Sequence, residues 1–88
     1  MFHNIKEDEV KHYFKTNMDK IKYVYIMGKT EGYNIKIFVK DYLNNYVDIS
    51  DKFVKVKPLI EDDYLTFKYI NQEGKSFLPP ISIFFIYE

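Results

Sequence analysis

Few residues in this chain are placed to do chemistry. General acid–base catalysis needs a positioned imidazole or a pair of carboxylates, and the only histidines are His3 and His12. Asp8 and His12 stand four apart, a spacing that joins them along one side of a helix, where the ordinary outcome is an exposed surface contact. Ser50, Ser76 and Ser82 sit in no glycine-flanked elbow of the kind that presents a nucleophile. Glu61, Asp62 and Asp63 are adjacent, whereas a calcium loop spaces its ligands at alternate positions. With no cysteine, thiol catalysis and thiolate metal sites drop out as well. The expectation is a protein without catalysis, cofactor or metal.

One stretch has the pattern of a nucleic-acid platform. In "YNIKIFVK", residues 33–40, a strand would carry Lys36, Phe38 and Lys40 along one side, and alternating aromatic and basic residues are what single-strand stacking surfaces use. Against this, thirteen lysines balance thirteen acids to zero net charge. No field therefore draws a polyanion in. The chain also lacks arginine, the residue with the planar fork that grips phosphate and guanine. Nucleic acid is disfavoured, and no binding of single strands is expected at physiological salt.

These residues must be held by a small body. Eighty-eight residues fit one domain, residues 1–88, and a chain of this size buries only about 60–65% of its unfolded surface. Nine tyrosines and eight phenylalanines have to fill the core, because there is no alanine and no tryptophan. That bias, with abundant Lys, Ile and Asn, points to an AT-rich gene of a low-GC microbe, its phages or its mobile elements. No signal peptide or apolar span long enough for a membrane is read, and the absence of cysteine fits a reducing compartment. The expected location is the cytoplasm.

Asn4 followed by Glu7 has the form of a helix N-cap. Val10, Phe14 and Met18 recur four apart, so a helix is predicted over about 5–18, with Glu7 and Lys11 as an i,i+4 ion pair. From Ile21 the period becomes two. Ile21, Tyr23, Tyr25 and Met27 share one face, and Tyr33, Ile35, Ile37 and Val39 another, which predicts a hairpin through "KTEG" at 29–32 with Gly32 supplying a positive φ. Strands follow near Tyr46–Ile49 and around Val54–Val56, the region 51–57 having a short helical turn as its alternative. An exposed connection over 59–63 leads to a strand at Tyr64–Ile70, and a second hairpin turn falls at 71–74 before Lys75–Leu78.

The stretch "ISIFFIY", residues 81–87, is apolar on both faces. It reads as a central strand paired with Ile21–Met27, since central strands are buried on both sides. The predicted class is α+β: one N-terminal helix packed on a curved antiparallel sheet of four to five strands, a partial barrel if the sheet curls strongly. One helix covers too little of such a sheet, so the far face with Val24, Ile26, Phe38, Phe84 and Ile86 is left for a partner. The functional expectation is a small protein-binding module, an accessory protein of a phage or mobile element that occludes a host defence protein such as a CRISPR-type nuclease. The alternatives are a single-strand-binding domain and a structural protein or homodimer. Candidate contact residues are Lys36, Phe38, Lys40, Glu61, Asp62, Asp63, Phe84 and Ile86.

Overall fold

The computed structural model describes residues 6–15, 17–71 and 80–87. Among the described residues eight strands follow in order: β1 Lys6–Tyr13, β2 Ile21–Gly28, β3 Ile35–Lys40, β4 Tyr46–Asp48, β5 Val54–Val56, β6 Ile60–Glu61, β7 Tyr64–Asn71 and β8 Ile81–Tyr87, with one 3-10 turn at Met18–Lys20. They form two antiparallel sheets. The larger runs β1-β7-β3-β4, with β6 also paired to β7, and the smaller runs β5-β2-β8.

The fold is therefore nearly all-β, and the predicted N-terminal helix is absent. Lys6–Tyr13 pairs with β7 over its whole length, from Lys6 opposite Asn71 to Tyr13 opposite Tyr64. The reason lies in the spacing. A separation of four residues is a helical repeat but also an even number, so Val10 and Phe14 share a face in a strand as well. In a strand, residues four apart are about 13 Å distant. Glu7 therefore cannot meet Lys11, and forms its ion pair with Lys68 of β7 instead, at 3.4 Å. Local helix preference yields to eight residues of ladder.

The inner faces of the two sheets make the core. β3 contributes Ile35, Ile37 and Val39, β7 contributes Leu65, Phe67 and Tyr69, and β2 contributes Val24 and Ile26, joined by Met18, Ile49 and Val56. Ile81, Ile83 and Phe85 of β8 pack against this cluster from the side. The predicted parity of β2 is thus reversed. Val24 and Ile26 are fully buried while Tyr25 is exposed: the compact β-branched residues fill the narrow space between sheets and the larger rings, with polar tips, face water.

β2 and β3 do not form a hairpin, although the turn between them exists. Tyr33 N–H donates to Thr30 O at 2.9 Å and Gly32 has φ +85, but the two strands lie in different sheets. Three sets of contacts divert the chain. Gly28 N–H donates to Ile49 O and Asp51 N–H to Gly28 O, each at 2.7 Å. Asp51 also accepts from both the N–H and the hydroxyl of Thr30 and from Glu31 N–H, contacts that hold its carboxyl below the usual range. Finally, a Cβ on Gly28 would stand 2.4 Å from Ile37 Cδ1, so only glycine allows β2 to cross β3 this closely.

The pairing of residues 81–87 with β2 is as the sequence predicts, from Ile21 opposite Tyr87 to Gly28 opposite Ile81. Its position is not: among the described residues β2 is central and β8 ends the sheet. The segment at 51–57 is a strand at Val54–Val56 with no helical turn. The predicted turn at 71–74 and the Lys75–Leu78 extension fall beyond Asn71, outside the described residues. No helix among the described residues is long and apolar enough to cross a membrane.

Candidate functional site

The three groups of candidate residues lie in three different places. On β3, Lys36, Phe38 and Lys40 do share the outward face, opposite the buried Ile35, Ile37 and Val39. They are not an open strip. Lys68 of β7 lies 5.2 Å from the Phe38 ring centre and 4.3 Å from that of Tyr46, and Lys40 lies 5.5 Å from Tyr46. The Tyr46 hydroxyl donates to Glu9, which lowers the Glu9 carboxyl and pushes the phenol up to about 12. Glu7 pairs with Lys68, Glu9 sets a negative charge near Lys40 and Lys68, and Phe38 is half-buried beneath Lys68.

Glu61, Asp62 and Asp63 are explained by geometry. β6 and β7 form a tight hairpin in which Ile60 faces Leu65 and Glu61 faces Tyr64. Asp62 and Asp63 occupy its two turn positions with φ 53 and 67. Such turns need left-handed backbone at both positions, which aspartate tolerates better than most residues. Among the described residues no group of three or more potential ligands is placed to hold a metal.

His12 also has a structural setting. It is half-buried on the inner face of β1, with Nε2 3.2 Å from the Tyr69 hydroxyl and its ring edge-on to Phe67 at 4.9 Å. Burial lowers the imidazole pKa and pushes the Tyr69 phenol up to about 12. Because the folded pKa lies below the ordinary value, the unfolded chain binds a proton more readily. Stability from this site is therefore complete above about pH 6.5 and declines as the pH falls towards the folded pKa. Urea midpoints measured between pH 5 and 7.5 should rise with pH, and the rise should be smaller in His12→Gln. An unchanged slope in that variant contradicts this setting for His12.

Phe84 and Ile86 behave differently. Phe84 points away from the core with 63% of its surface exposed. It faces Tyr25 across the ladder and its ring centre lies 5.8 Å from that of Phe53. Ile86 is half-buried opposite Tyr23, where a register shift separates Ile21 from Tyr23. Lys55 extends over the Tyr23 ring at 4.5 Å. Tyr25 at 41% and Phe53 at 49% exposure complete an outward aromatic face on the smaller sheet.

Sequence reasoning missed Tyr25 and Phe53 as members of this face. The alternation of β2 is visible, but which parity faces inward depends on the opposing sheet. Comparison with protein-family models, with curated proteins and with solved structures gives no match for this chain.

Proposed function

We propose that this chain is a non-catalytic protein-binding module, and that it binds through the outward face of β2 and β8. The observation that carries this reading is the exposed run of three rings, Phe53, Phe84 and Tyr25, beside which Lys55 and Lys22 are drawn over the Tyr23 ring. Contiguous apolar surface on a small domain marks an interaction site, and aromatic side chains with few charges are what the centre of a protein interface uses. The partner that fits is a folded protein with an apolar surface, whose own contacts are then blocked. The proposal that it belongs to a bacterial host, with this chain serving a phage or mobile element against a defence protein, rests on the small size and AT-rich composition alone.

The test pairs capture with a surface variant. Wild type and Phe53→Ser/Phe84→Ser are immobilised and exposed to lysates of low-GC bacteria, and retained proteins are quantified by mass spectrometry. A protein held by the wild type and lost with the variant supports the reading. Equal retention by both overturns it, as does micromolar binding of single-stranded oligonucleotides that weakens steeply with salt.

A further inference from the structure

A sheet edge left open is a template for another strand, and folds protect their edges by shortness or by charge. The strands that end the two sheets here differ sharply in this respect. β4 and β5 are three residues each. β1 is eight residues long but carries Glu7, Asp8, Glu9 and Lys11. β8 is seven residues long, Ile81–Tyr87, with no charged side chain, glycine or proline within it. Among the described residues only β2 pairs with it.

We propose that β8 pairs antiparallel with β8 of a second copy, about a two-fold axis at Phe84. The register of full overlap is centred on residue 84, the middle of the strand. In it Phe84 faces its own counterpart, Ile83 faces the second Phe85, and Ser82 faces the second Ile86. Each pair has the same parity, so Ile83 and Phe85 stay on the core side of both sheets while Phe84 stays outward. No charged side chain lies within this contact. Such a contact is isologous and closes, giving one continuous sheet in the order β5-β2-β8-β8-β2-β5.

Area points the same way. At the exposures of Phe84, Phe53 and Tyr25, three aromatic side chains offer roughly 300 Å² per copy, well short of the ~800 Å² per partner of a standard interface. Pairing at β8 sets two such faces side by side and doubles the platform to roughly 600 Å², nearer to that size. This area argument rests on the binding role proposed for the face; the edge argument does not.

The chain has no cysteine, so Phe84→Cys is a clean probe. Cα atoms directly opposite in an antiparallel pair lie about 4.5–5.5 Å apart, within disulfide range. Wild type is followed by sedimentation across a concentration series, and Phe84→Cys and Phe53→Cys are oxidised in parallel. We expect the mass to rise with concentration to about twice 10.7 kDa, and Phe84→Cys to cross-link in preference to Phe53→Cys. A wild-type dimer that Phe84→Cys converts to monomer also places residue 84 in the contact. A mass that stays monomeric overturns the proposal and leaves the partner-binding reading untouched. A dimer whose Phe84→Cys form still dimerises but cross-links no faster than Phe53→Cys overturns it too.

Discussion

A chain lacking residues 81–88 does not fold. β8 supplies seven residues of ladder to β2, whose other partner, β5, pairs over only three. It also brings Ile81, Ile83 and Phe85 onto the core, with the Phe85 ring T-shaped against Phe14 at 5.6 Å. Fully burying one such side chain contributes roughly 1.5–3 kcal/mol. Even discounted for partial exposure, losing three removes several kcal/mol from a domain expected to hold about 5–15. The truncated chain should give a collapsed amide spectrum by NMR and no cooperative melt. A dispersed spectrum with a sharp transition contradicts the placement of β8 as an integral strand.

Phe67→Ala is the point substitution expected to cost most. Phe67 is completely buried at the centre of β7, with Val10 of β1 and Val39 of β3 as its ladder neighbours, and with the rings of His12 and Tyr69 beside it. Removing a buried phenylalanine side chain costs about 3–5 kcal/mol in lost transfer energy and residual cavity. In a domain of this size that lowers the melting temperature by on the order of 15 °C or unfolds it outright. Phe38→Ala, on the outer face of the same sheet, is the control and should cost far less. Equal losses in the two variants contradict the assignment of inner and outer faces.

The strands at 21–28, 35–40 and 64–71 are legible from period-two alternation over several residues, and that at 81–87 from a run apolar on both faces, whereas 54–56 is too short for its alternation to exclude a helical turn. Also legible is the partnership of β8 with β2, which follows from the need to cover two apolar strands. The N-terminal segment was not legible as a strand, since Val10, Phe14 and Met18 satisfy both periods and Asn4 with Glu7 imitates a cap. What decides it is the free edge of β7, far along the chain. The separation of β2 from β3 depends on Asp51 gripping Thr30 and Glu31 and on Ile37 passing over Gly28, contacts between residues nine to twenty-one apart that leave no local signature. The parity of β2 has the same origin: Val24 and Ile26 face inward only because Val56 and β3 lie where they do. Of the candidate site, Phe84 and Ile86 were legible as surplus apolar residues. Their neighbours Tyr25 and Phe53 were not, because their exposure follows from that parity. The acids at 61–63 carried a turn signal, two residues tolerant of left-handed backbone, that reads as easily as an exposed loop.

The claim that the outward face of β2 and β8 serves binding requires that folding does not depend on it. The most direct measurement is the melting temperature of Phe53→Ser/Phe84→Ser beside wild type, at a dilution where both are monomeric. Both rings are about half or more exposed, so the variant should melt within a few degrees of wild type, on the scale of about 4–8 °C per kcal/mol for a domain of this size. A fall on the order of 15 °C or more, the size expected for a core ring, contradicts the account: the two rings are then internal to the fold, and this face is no binding surface.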